Sequence, residues 1–147
     1  MKNKKLRSHC PINFGLESFG DKWTLLILRD MVFRGKSTYG EFLKSEEGFA
    51  TNILGARLEH LEDEGILKRI EHPEDARKSK FLLTEKGIDL VPILFEMMVW
   101  SEKYDSKSEA RRIPRLMGLI KDDVHKISEK TKERLREGLP LFPEYLK

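Results

Sequence analysis

A mainly α-helical fold carrying one small β-hairpin, an α+β class, is predicted by three features of the sequence. Apolar residues recur at helical spacing over most of the chain. Between Gly65 and Thr84 the pattern switches to two short β-capable runs around a turn-forming cluster. The 147 residues, 39% apolar and 36% charged, suffice for a real core without metals or disulfides. No apolar run approaches the roughly 20 residues of a membrane span. Nothing apolar follows the basic start Met1-Lys-Asn-Lys-Lys, so no leader, no membrane partner and a cytoplasmic location are expected. One cysteine, Cys10, excludes an internal disulfide framework and a zinc site built on several thiolates, and no cofactor or metal is expected.

Each element follows from its own signals. Pro11 suits a first helical turn, Ile12, Leu16 and Phe19 carry helical spacing, and Gly20 ends the segment. Asp21 is a good N-cap for a second helix, whose apolar residues from Trp23 to Phe33 lie most of the way round. Ser37 or Thr38 starts a third helix with Tyr39, Phe42 and Leu43 on its apolar face. Ala50 or Thr51 opens a fourth. Its Leu54, Leu58 and Leu61 form one narrow stripe, and Gly65 closes it. Residues 66–72 and 80–84 read as strands joined by an exposed tip, 73–79. Thr84 then caps a helix that runs to Tyr104. Leu90, Leu94, Met97, Trp100 and Tyr104 give that helix an apolar face broader than one small domain needs, which marks an interface. Beyond a polar link at 106–112, Ile113, Met117, Ile120, Val124 and Ile127 repeat at heptad-like spacing. This seam is too short for an independent coiled coil and is expected to pack on the body or on a second chain. Residues 138–146 read as an apolar extended end. The domains expected are 1–105, with the long helix serving dimerisation, and a helical extension, 106–147.

The formal net charge is +3, but residues 1–105 hold 17 basic and 18 acidic side chains while 106–147 hold 11 and 7. A nucleic-acid site in the first part must therefore be a local patch. The order helix, helix, helix, hairpin, long helix is the winged helix-turn-helix plan, in which the third helix of the trio enters the DNA major groove and the hairpin flanks it. Residues 51–64 have the required apolar back and polar front. Thr51, Asn52, Gly55, Ala56 and Arg57 lie at the N-terminal front, and the acidic residues fall in the other half. Asn52 suits an adenine edge, Thr51 a phosphate, and Gly55 and Ala56 close backbone approach. Arg57 suits a guanine or a phosphate, the competing assignment being an ion pair to a nearby acid. In the hairpin, Arg77 suits the minor groove, Lys78 and Lys80 the DNA backbone, and Asp75 the orientation of Arg77.

The runs GDKWTLLILRD, Arg57-Leu58 with Leu61-Glu62 and Gly65, and Leu83-Thr84-Glu85-Lys86-Gly87 occur in an order and spacing that resemble the HxlR-type family of bacterial winged-helix regulators, relatives of the MarR group. The resemblance covers residues 9–104. It implies a homodimeric cytoplasmic transcription factor that binds double-stranded DNA at an inverted repeat, and for some members a response to oxidants or electrophiles. Family members commonly place Ser and Gln where Gly55 and Ala56 stand, so a base-reading amide is missing here and the operator is not transferable. The resemblance also implies a sensor role for Cys10, since the family's Cys-Pro-Ile stands at this place. On residues alone, a thiolate is favoured at a helix N-terminus beside His9, Arg7 and Lys5, while the competing assignment is a Cys that merely packs.

The expected dimer surface joins Ile12 and Leu16 of the first helix to the face containing Leu90, Leu94, Met97, Trp100 and Tyr104, with the tail seam contributing. Two other functions fit the sequence less well. A winged helix used only for protein contacts fits the tail but not the basic hairpin. An enzyme using Cys10 with His9, His60, His72 or His125 lacks any Gly-rich phosphate loop, HExxH or Cys–His spacing.

Overall fold

The structure, a computed structural model, describes residues 5–146; the first four residues of the basic start and Lys147 lie outside the described residues. The chain forms two compact units. One comprises the residues up to Met31 together with Lys36–Gly87, the other Val32–Gly35 together with the residues from Ile88 onward. The residues after Gly87 group with the tail because the long helix there packs with the helices of the tail.

In the first unit, α1 (Pro11–Phe19) begins at its proline and stops at Gly20. α2 (Thr24–Arg34), whose residues from Val32 on belong to the second unit, is started by Asp21, whose Oδ1 accepts from the backbone N–H of Trp23 and of Thr24, both at 2.9 Å. α3 (Tyr39–Leu43) opens on a capping box. The Thr38 hydroxyl accepts from the Glu41 N–H, and the Glu41 carboxylate accepts from the Thr38 N–H. α4 (Thr51–Asp63) buries Leu54, Leu58 and Leu61 and ends at Gly65, whose φ of 74° suits the left-handed C′ position. The core comprises these leucines with Ile27, Leu28, Phe42, Phe49, Ile66, Leu67 and Phe81. Asp30 is fully buried within a polar cluster of Arg29, Lys36 and Ser45.

The hairpin pairs β1 (Leu67–His72) with β2 (Asp75–Leu83) in antiparallel register, Leu67 opposite Leu83 and Glu71 opposite Ser79. Here the expected tip is corrected. The turn is only Pro73-Glu74, and His72 pairs with Asp75, so Ala76, Arg77 and Lys78 form an excursion of β2 without partners in that register. The Thr84 hydroxyl accepts from the Gly87 N–H at 3.2 Å and lies 2.5 Å from the Gly65 carbonyl, to which it donates. A Cβ on Gly87 would stand 2.4 Å from the Ile66 carbonyl oxygen, so this close approach requires glycine.

The helix expected from Thr84 to Tyr104 is two helices, α5 (Glu85–Ile88) and α6 (Val91–Tyr104), because Pro92 belongs in a first turn. In the second unit, α6 packs with α7 (Pro114–Asp122) and α8 (Val124–Arg136). The tail seam is broken at Asp123, whose carboxylate caps α8 by accepting from the Lys126 N–H. Ile113, Met117, Ile120 and Ile127 are buried within this unit, so the seam folds back on the chain's own α6 and is not free for a second chain. The end expected to be extended is turned and anchored. Leu141 and Tyr145 are buried, and the N–H groups of Leu141 and Phe142 donate to the last carbonyls of α2, Val32 and Phe33, at 3.0 and 2.8 Å.

Candidate nucleic-acid interface

With Leu54, Leu58 and Leu61 turned inward, the opposite side of α4 is open. Thr51, Asn52 and Ala56 are exposed, and a Cβ on Gly55 would meet no atom within 4 Å. The Tyr39 hydroxyl donates to the Thr51 carbonyl at 2.8 Å and ties the start of α3 to the start of α4. A groove of about 500 Å³ runs between the two helices and the hairpin, and its lining includes Tyr39, Gly55, Arg69, Arg77, Lys78 and Ser79.

Asp75 and Arg77 stand as one unit. Asp75 Oδ1 accepts from the Arg77 backbone N–H and from Nε, each at 3.1 Å, and these two bonds hold the Asp75 carboxyl below the ordinary carboxylate range, the side-chain bond most strongly. The Arg77 side chain is nonetheless 91% exposed, so its guanidinium is oriented by Asp75 and open to a further partner. Lys78 is exposed and Lys80 half-buried.

Arg57 Nε lies 3.5 Å from Asp21 Oδ1, at the α1–α2 corner, so the ion pair that competes with a base or phosphate contact has its partner in Asp21. Burial would raise the Asp21 pKa, but hydrogen bonds from Thr24 Oγ1 and from the Trp23 and Thr24 N–H groups, with the Arg57 charge, lower it overall.

Cys10 is the exposed N-cap residue of α1, and the backbone N–H groups of Asn13 and Ile12 lower its thiol pKa. Arg7 does not reinforce this directly, since it pairs with Glu17 at 3.0 Å. Ile12, Leu16, Met97, Trp100 and Tyr104 are exposed, with Ile12 at 71% and Trp100 at 66%. Leu94 is buried among its own unit's core residues and Leu90 is half-buried, so these two are unavailable or only partly available to a partner. Tyr39 and Arg69 also line the groove, and neither stands out as a site residue in the sequence. Tyr39 reads as one more apolar position of α3, and Arg69 as an exposed strand residue. The signal that would have found Tyr39 is its hydroxyl, which an apolar helix face does not need.

The sequence matches the HxlR-like helix-turn-helix family over residues 18–109. It is 32% identical over 113 residues to the uncharacterized HTH-type transcriptional regulator YybR of Bacillus subtilis, covering 77% of this chain and 87% of that protein. It is 34% identical over 88 residues to the uncharacterized HTH-type transcriptional regulator sll1512 of Synechocystis, covering 60% of this chain and 64% of that protein, just under two thirds of its length. Among solved structures it is similar to the redox regulator HypR in its oxidized form, with a TM-score of 0.59 and 31% identity over 66% of this chain and 99% of that one. The winged helix-turn-helix plan expected from the order of elements agrees with these relatives, and the chain belongs to the HxlR-like helix-turn-helix family of transcriptional regulators.

Proposed function

We propose that this regulator acts as a homodimer that reads an inverted repeat in double-stranded DNA, with the N-terminal turns of α4 in the major groove and the hairpin beside it. The observation that carries this reading is the groove shared by Gly55, Tyr39, Arg77 and Lys78, with an Arg77 that is both oriented and exposed. Thr51, Asn52 and Ala56 form the reading edge, and Arg77 suits a narrow minor groove, where negative potential is concentrated. Lys78 and Lys80 supply charge to phosphates. Arg57 sets the orientation of α4 through Asp21.

The dimer surface is supported by the outward apolar residues of α1 and by the Met97, Trp100 and Tyr104 stripe of α6. Cys10 is the group through which an oxidant or electrophile acts. Its thiolate forms a thioether by adding to an electrophilic carbon. Alternatively, two Cys10 thiols of two copies lose two electrons and two protons to an oxidant such as diamide and join as a disulfide. The likeness to a redox regulator supports this part of the reading. The test is fluorescence anisotropy of labelled duplexes against salt. Tight binding at 50 mM salt that weakens by about 10³-fold or more by 200 mM is the result expected for six or more phosphate contacts in a dimer. Absence of salt-dependent binding overturns the reading.

A further inference from the structure

Ser18 is the one residue of α1 that is fully buried, although α1 is rich in apolar side chains. Ile12, Phe14 and Leu16 all face outward. What ties the C-terminal end of α1 to α4 is polar. His60 Nε2 lies 2.9 Å from the Ser18 carbonyl oxygen, and because a carbonyl only accepts, the ring nitrogen donates. This oxygen belongs to the last turn of α1, where carbonyls lack intrahelical partners, so His60 acts as a side-chain cap on another helix. The Ser18 hydroxyl proton is shared between the Phe14 carbonyl at 3.1 Å and Glu64 Oε2 at 3.3 Å. Arg57 reaches Asp21, just past the end of α1. Arg57, His60 and Glu64 are spaced three and four apart and therefore share one flank of α4. That flank is neither the leucine back nor the open front.

We propose that this polar flank, centred on His60 and Glu64 gripping Ser18, is the coupling between α1 and the recognition helix, so that displacement of α1 is transmitted to α4. The inference rests on the proposed function only for its biological meaning; the coupling is a property of the fold. A helix of nine residues is a rod of about 13 Å, with Cys10 at one end and Ser18 at the other, so a group attached at Cys10 levers the end that His60 holds. His60 and Ser18 are positioning residues, since they lie off the open front of α4. A coupling of this kind needs two discrete arrangements of its contacts and is measured as a change in one place caused by a change in another.

The sole, exposed cysteine allows the lever to be loaded at one site. The intact protein is labelled at Cys10 with N-ethylmaleimide, and hydrogen exchange of the α4 amides is followed with and without the label in the wild type, Ser18→Ala and His60→Gln. Thermal melts confirm that each variant is folded, and Ser18→Ala serves if His60→Gln is not. In the wild type the label is expected to change exchange of amides 55–61 by about fivefold or more, the lower end of ordinary coupling, and in the variants by less than about twofold. Wild-type exchange that ignores the label, or equal responses in wild type and variants, overturns the proposal. DNA affinity measured on the same samples separates the two readings. If unlabelled wild type fails to bind DNA, the proposed function falls, while the exchange data still decide the coupling.

Discussion

Replacing Asp21 by alanine removes four interactions at once, two backbone bonds of the α2 cap, the bond from Thr24 Oγ1 and the ion pair to Arg57, and the structure sets their sizes. The carboxylate caps α2 through two backbone bonds of 2.9 Å, and loss of such a cap costs typically about 1 kcal/mol and up to about 2. The ion pair to Arg57 spans 3.5 Å with side chains 38% and 24% exposed, which places it at about 0.5 kcal/mol. With about 1 kcal/mol for the bond from Thr24 Oγ1, Asp21→Ala is thus expected to cost about 2.5–3.5 kcal/mol, and Asp21→Asn, which retains one capping oxygen but neither the charge nor the second acceptor, about 0.5–1.5 kcal/mol. Urea melts of the two variants, of Arg57→Ala and of the Asp21→Ala/Arg57→Ala double variant measure these quantities and the pair's coupling. The dependence on pH has a definite sign. The folded carboxyl has a lowered pKa, so its stabilisation is complete above the unfolded value of about 3.9 and is lost as pH falls through the folded value. The gap between wild type and Asp21→Asn therefore narrows below about pH 4. If Asp21→Ala lies within about 0.5 kcal/mol of wild type, the capping argument fails. If Arg57→Ala leaves stability and coupling untouched while abolishing DNA binding, Arg57 reads DNA and the ion-pair assignment is refuted.

Lys78→Ala is expected to weaken DNA binding evenly across sequences and to flatten the slope of log affinity against log salt by about one per site, measured by anisotropy. Trp100→Glu places a charge in the exposed stripe of α6 and is expected to shift sedimentation at micromolar concentration from dimer to monomer. Gly87→Ala forces a Cβ against the Ile66 carbonyl at 2.4 Å and should destabilise by about 1–3 kcal/mol, whereas Gly55→Ala, with open space around its Cβ, should stabilise by about 0.5–1 kcal/mol; thermal melts read both signs.

The features legible in the sequence are those written in short stretches of chain. The Asp21 and Thr38 caps, the leucine stripe of α4 and the glycine after it depend on residues within a turn or two of one another, and the structure has each of them. The break between α5 and α6 was also local, but Pro92 competes with an uninterrupted apolar pattern that favours one long helix. The start of β2 reads as turn in the sequence because Asp75, Ala76, Lys78 and Ser79 have turn-like or charged side chains, and cross-strand pairing outweighs that preference at Asp75 and Ser79. Arg57 and the tail illustrate the other limit. Periodicity identifies the flank an arginine occupies and the face a helix buries, but the partner comes from a distant segment. The seam from Ile113 to Ile127 satisfies its apolar face on the chain's own α6 as readily, in pattern, as on a second copy.

Sequence-specific reading of DNA by α4 and the hairpin is tested most directly by selection of bound duplexes from a random pool. Enrichment is expected of an inverted repeat whose half-sites lie about one helical turn, 34–36 Å, or a multiple apart, as paired helix-turn-helix units require. Asn52→Ala is expected to relax one position of each half-site, while Lys78→Ala leaves the enriched sequence unchanged and only lowers its recovery. A pool that shows no enriched sequence with the folded wild type, or the same sequence with the same recovery from all three proteins, contradicts sequence-specific reading by these elements.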